Sequence, residues 1–143
     1  MQWCIEPAGG SEHVVEYISE QAISELNQYY PNILAQDTVS LPDALRKINE
    51  KTGTRFVVII DEWDVLIRDE TSDSKIQDQY INFLRGMFKG VAPTQYIQLA
   101  YMTGILPIKK VKTQSALNNF DEFSMLDAGE FAPYMKSPRP CGA

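Results

Sequence analysis

The sequence predicts an α/β fold organised on a parallel sheet, and two observations carry that prediction. Phe56-Val57-Val58-Ile59-Ile60 is an unbroken apolar run, four of its five residues β-branched, that leads directly into Asp61-Glu62. Such a run reads as a strand over residues 55–60, buried on both faces, with acids at its carboxyl end. Residues 96–102 form a second strand candidate, and the segment between the two has helical periodicity. Strand, helix, strand in that order is a βαβ unit, whose strands run parallel and whose crossover is right-handed. Ligands of open α/β sheets bind at the carboxyl ends of the strands, so Asp61 and Glu62 mark the expected site.

Taken in order, residues 1–12 contain Pro7, Gly9 and Gly10 and read as a flexible leader, with Ser11 placed to cap the first long helix. Trp3-Cys4-Ile5 is the one stretch there that resembles the remnant of an earlier strand. Val15, Ile18, Ala22, Leu26 and Tyr29 recur at three- and four-residue steps, predicting an amphipathic helix over 14–30 closed by Pro31. Ser40 and Asp43 form a start signal for a second helix with Leu41, Leu45 and Ile48 on one face, and Lys51 with Gly53 end it. After the acids, residues 68–73 are a polar connector. Ser74 and Gln77 then form a capping box for a third helix, buried through Ile76, Tyr80, Phe83, Leu84 and Met87 and ending near Gly90. Ala92 to Thr94 turn the chain into the second strand, which Gly104 breaks just after Thr103. A core over residues 13–135 and a disordered Pro-rich tail over 136–143 complete the expected organisation.

At 143 residues the chain has the length of one domain, and 44% hydrophobic with 22% charged residues is an ordinary globular composition. A formal net charge of −6 and a pI near 4.7 disfavour nucleic acid as a direct partner. Cys4 and Cys141 lie far apart and His13 is the lone histidine, a pattern unlike a structural zinc site. No apolar run approaches the ~20 residues of a membrane span and no signal-peptide pattern opens the chain, so a cytoplasmic protein without a membrane partner is expected.

Phosphoryl transfer from a nucleotide needs Mg²⁺ to neutralise charge and a group that orients or deprotonates the nucleophile. A strand ending in Asp-Glu can supply both. Asp61 would hold the ion through a water, Glu62 would point the other way by strand alternation and polarise the attacking water, and Thr103 on the neighbouring strand would sense the γ-phosphate. The plainer alternative is that the two acids cap the adjoining turn and are solvated. Lys109, Lys110 and Lys112 come after the second strand and are candidate phosphate contacts, although short charge runs usually face water. Tyr29, Tyr30 and Trp63 offer a stacking platform or, more simply, core.

Beyond their chemistry, these residues resemble a family. VVIIDEWD, then YINFLRGMFKG, LAYMTGILPIKK and QSALNNFDEFSML, are similar in order and spacing to the AAA-ATPase-like proteins of bacteria, over residues 13–135. These are P-loop NTPases in which IDE(Y/W)D is the Walker B segment. The resemblance implies a P-loop-NTPase-like parallel sheet flanked by helices. Asp61 takes the Mg²⁺ role, Glu62 the catalytic-base role and Thr103 a sensor-like position. Trp63, Asp64 and Leu117-Asn118-Asn119 match family positions without an assigned role. Longer members commonly carry a nuclease-like domain downstream.

One departure is large. No G-x-x-x-x-G-K-[ST] occurs; Lys51-Thr52-Gly53 and Phe88-Lys89-Gly90 lack the loop that cradles phosphates. The expectation is therefore a partial ATPase core that keeps Walker B and sensor elements. ATP and Mg²⁺ are implied for the complete domain, with neither binding tightly to this chain. Its partner would be the rest of such a domain, or another protein docked on an exposed sheet edge. Two alternatives remain open at this level: a non-catalytic interaction module, and a Mg²⁺-dependent phosphohydrolase that uses Asp61, Glu62 and Asp64 directly.

Overall fold

A computed structural model describes residues 4–69, 73–108, 117, 119–124, 127, 129–131 and 133. The elements run α1 (Ile5–Ala8), a 3-10 turn (Ser11–His13), α2 (Val14–Tyr29), α3 (Leu41–Thr52), β1 (Phe56–Ile60), α4 (Val65–Arg68), α5 (Ser74–Phe88), α6 (Pro93–Tyr96), β2 (Ile97–Met102) and a second 3-10 turn (Gly129–Phe131). β1 and β2 pair in parallel, Val57 opposite Leu99 and Ile60 opposite Met102, with a register shift between Phe56 and Val57. The α/β class and the parallel pairing agree with the sequence. Among the described residues neither strand pairs with a third.

Several local readings are corrected. Of the Trp3-Cys4-Ile5 strand candidate, Cys4 and Ile5 are helical rather than extended, and Trp3 lies outside the described residues. Within residues 1–12, read from the sequence as a loose leader, the described residues 4–12 include α1 and the start of the 3-10 turn. The Ser11 hydroxyl caps no helix but donates to Asp69 Oδ2 at 2.7 Å, across the fold. At α3, Ser40 occupies the cap position without a side-chain bond, and the Asp43 carboxylate, which would complete the box, pairs instead with Arg46 and with Lys47 at 2.8 Å. Those hydrogen bonds, to Lys47 first and then Arg46, hold the Asp43 carboxyl below its usual range. Gly53, at φ 72°, does end α3 in the left-handed conformation, its N–H donating to Asn49 O at 2.7 Å. At α5 the cap is Asp73, one residue before the expected Ser74, and its Oδ1 accepts the Ile76 N–H at 2.9 Å.

The core lies between the helices and one face of the sheet. Val14 and Ile23 of α2, Ala44 and Leu45 of α3, and Tyr80 and Leu84 of α5 are buried together. Burying each large side chain stabilises the fold by roughly 1.5–3 kcal/mol. Phe56, Val58 and Ile60 of β1, with Ala100 and Met102 of β2, pack against this cluster. The opposite face is open: Val57 is 55%, Ile59 70%, Leu99 56% and Tyr101 50% exposed. A strand buried on both faces was expected, and the correction is that only the helical side is covered. No helix among the described residues is long and apolar enough to cross a membrane.

Candidate functional site

β1 ends at Ile60, and residues 61–64 form a tight turn at the carboxyl edge of the sheet. β2 ends one residue before Thr103, at the same edge. Thr103 ties the two ends together through its backbone and its side chain. Its N–H donates to Ile60 O and its carbonyl accepts from Trp63 N, both at 2.9 Å. Its hydroxyl accepts the Glu62 N–H at 3.3 Å and donates to Asp61 Oδ1. Asp61, Glu62 and Thr103 are thus brought together, as the parallel pairing of their strands requires.

Glu62 departs from the expected geometry. Strand alternation was to turn it away from Asp61, but Glu62 lies beyond the strand at φ 54°, in the left-handed region that L residues rarely occupy. The turn rather than the pleat aims its carboxylate.

Trp63 and Asp64 form the floor of the turn. Trp63 is core, which disposes of the stacking platform at that position. Its carbonyl accepts the Tyr80 hydroxyl at 2.7 Å, so α5 anchors the turn from below. Burial, and secondarily the charge of Asp64, push the Tyr80 phenol above its ordinary pKa. Asp64 is fully buried. Its Oδ2 accepts three donors: Arg68 Nε at 2.9 Å, Ile105 N at 3.1 Å and Leu106 N at 2.7 Å. Its Oδ1 has no hydrogen-bond partner among the described residues. Gly104 permits this closure, since a Cβ there would lie 2.5 Å from Trp63 Cδ1 and 2.9 Å from Asp64 Oδ1. Asp64 therefore clamps the segment after β2 to the turn after β1. In the sequence Asp64 matches a family position without a role; the Asp64–Arg68 spacing of four is the signal that could have found the clamp.

Buried in this way, Asp64 cannot converge with Asp61 and Glu62 on an ion. Among the described residues no group of three or more acids, histidines or cysteines could hold a metal. The three-acid phosphohydrolase site is thereby corrected. Asp61 is exposed and offers the hard oxygen ligand that suits Mg²⁺, an ion that keeps waters and takes one or two carboxylates beside substrate phosphates. An open cleft of about 370 Å³ adjoins Glu62, lined also by Ile5, Val65, Arg68, Asp69 and Ile105. Lys109, Lys110 and Lys112 lie outside the described residues. Of the LNN segment, Leu117 is buried and Asn119 Nδ2 donates to Phe88 O at 3.1 Å, which ties it to the end of α5 rather than to the acids.

Comparison with known proteins gives a family and little beyond it. A family model described as Predicted AAA-ATPase matches residues 7–113. An uncharacterized protein in the vnfD 5′ region of Azotobacter chroococcum mcd 1 is 27% identical over 84 residues, 58% of this chain and 16% of that protein. The chain thus matches about a sixth of that relative's length. No solved structure matches. The matched span takes in the acidic turn, α5, β2 and the Thr103 junction, and the chain belongs to the AAA-ATPase-like family.

Proposed function

We propose that this chain contributes the Walker B and sensor part of an ATPase with a P-loop-NTPase-like sheet. In this reading Asp61 holds Mg²⁺ through water, Glu62 orients the attacking water, and Thr103 reports on the γ-phosphate. The observation that supports it best is the Thr103 hydroxyl, which bridges the Asp61 carboxylate and the Glu62 backbone at the carboxyl edge of a parallel pair. A hydroxyl has one proton to donate. Thr103 gives it to Asp61, so sensing a phosphate means transferring that bond to a phosphate oxygen. Mg²⁺, when bound with nucleotide, would neutralise phosphate charge at Asp61.

The chain alone should turn over no ATP, because its sequence has no G-x-x-x-x-G-K-[ST] to bring backbone N–H groups and a lysine to the β- and γ-phosphates. Mn²⁺ with ATP, used as a paramagnetic substitute for Mg²⁺, should broaden the amide resonances of Asp61, Glu62 and Thr103 at millimolar concentration, and Asp61→Ala should remove the effect. Broadening centred elsewhere would sink the assignment. Submillimolar MgATP affinity in calorimetry would show that another segment replaces the phosphate loop.

The open sheet face supports a second reading, as an interaction module. Parallel sheets normally have both faces covered, and Val57, Ile59, Leu99 and Tyr101 are a contiguous apolar surface that another polypeptide would bury.

A further inference from the structure

The open sheet face carries a pattern that an identical face complements. Val57 stands opposite Leu99 and Ile59 opposite Tyr101, so the four exposed side chains form two cross-strand rows. The rows are centred on the Val58 and Ala100 pair, which packs against the core instead. Arg55 and Asp61, both exposed, lie immediately before and immediately after β1, equally far along the chain from Val58. Along β1 the pattern is therefore a cation, two β-branched apolar residues and an anion. Arg55 is held at the amino end, where Nη2 donates to Thr94 O at 3.1 Å and to Ile97 O at 3.4 Å. Asp61 is held at the carboxyl end by the Thr103 hydroxyl.

We propose that this face docks on the same face of a second copy of the chain, with the strands antiparallel across the contact. The proposal rests on the interaction-module reading above and names its partner. Two two-fold arrangements stack one such face on another. With the axis along the strands, β1 lies over β2 of the second copy and both Asp61 carboxylates fall at one end. With the axis across the strands, over Val58 and Ala100, each Arg55 stands over Asp61 of the other copy and each apolar row meets the other row. Charge selects the second arrangement, because it alone sets opposite charges against each other at both ends.

Aligned sheets pack about 10 Å apart with their facing side chains interdigitated. Four partly exposed apolar side chains fall short of the ~800 Å² that each partner gives to a standard interface, so the dimer is weak, with a dissociation constant on the order of 0.1 mM. The formal net charge of −6 on each chain opposes association. Exposed charges more than about 8 Å apart are largely screened at physiological ionic strength, whereas the two Arg55–Asp61 pairs lie within the contact.

The test is sedimentation equilibrium of the whole chain from about 5 µM to about 1 mM, which should show monomer at the low end and dimer at the high end. Arg55→Glu and Asp61→Lys should each weaken self-association about tenfold or more, since each sets like charges against one another. Mixed in equal amounts, the two variants should associate as the wild type does, because every charge at the contact then faces its opposite. Circular dichroism checks that each variant is folded. Where one is not, Ile59→Thr combined with Leu99→Thr decides: it removes one residue of each apolar row and should leave a monomer. A dimer that survives the threonine variant, or folded charge variants that stay apart on mixing, would overturn the proposal. So would a wild type still monomeric at the highest concentration. If that monomer binds a hydrophobic dye that the threonine variant does not, the interaction-module reading stands with a different polypeptide as partner. If it binds none, both fall.

Discussion

Glu62 holds a backbone conformation that an L residue adopts at a cost of roughly 1–2 kcal/mol. Strain of this kind collects at functional turns, where surrounding contacts over-determine it. Here the contacts are the Thr103 hydroxyl on the Glu62 N–H and the Val65 N–H on the Glu62 carbonyl at 3.1 Å. Glycine relieves the strain but adds freedom to the unfolded chain, a loss of about 0.5–1 kcal/mol. Glu62→Gly is therefore expected to raise stability to urea by up to ~1 kcal/mol while removing the carboxylate, whereas Glu62→Ala, equally strained, should not. A glycine variant less stable than the alanine variant would contradict the strain account. The proximity of Asp61 and Thr103 was legible in the sequence, since parallel neighbours bring like ends together. The direction of Glu62 was not, because alternation stops where the ladder stops.

At the scale of elements, α5 does more than connect β1 to β2. Its apolar face was readable from residue spacing, but the bond from Tyr80 to the Trp63 carbonyl was not, because the same spacing also describes a purely apolar contact. Tyr80→Phe leaves that buried carbonyl without its donor and should lower stability by about 1–3 kcal/mol. The raised phenol pKa sets a pH dependence. The folded form keeps its proton where the unfolded form begins to lose it, so the contribution is complete below the ordinary phenol value of 10.0 and is lost as pH rises from there through the folded pKa. Urea titrations across that range should show a steeper alkaline loss in the wild type than in Tyr80→Phe. Parallel curves would show that the Tyr80 phenol titrates alike in the folded and unfolded protein, against the raised pKa. The helix starts also departed from the spacing signals. Asp73 rather than Ser74 caps α5 through its bond from the Ile76 N–H, and at α3 the Asp43 carboxylate is drawn to Arg46 and Lys47, one turn on along the same helix.

For the whole molecule, the consequential feature is a sheet with one covered and one open face. Replacing Ile59 and Leu99 by threonine places a β-branched residue at both strand positions and removes apolar surface. If that face is open in solution, the double variant should stay within about 0.5 kcal/mol per site of the wild type, the usual range for surface changes. It should also bind less of a hydrophobic dye. A loss of about 2 kcal/mol or more, as for a core site, would show that something already covers the face. The sequence by itself determined the α/β class, the parallel pair, the ends of α2 and α3, and the edge at which Asp61 and Thr103 meet. These rest on periodicity, on the stops at Pro31 and Gly53 and on the geometry of a parallel connection. Only the tertiary structure decided which sheet face is buried, that Asp64 is a buried clamp rather than a third metal ligand, and that Arg68 stands beside Glu62. An apolar run looks the same whether one or both of its faces are covered, and a carboxylate carries no mark of the backbone N–H groups that will close over it from beyond a strand some forty residues away.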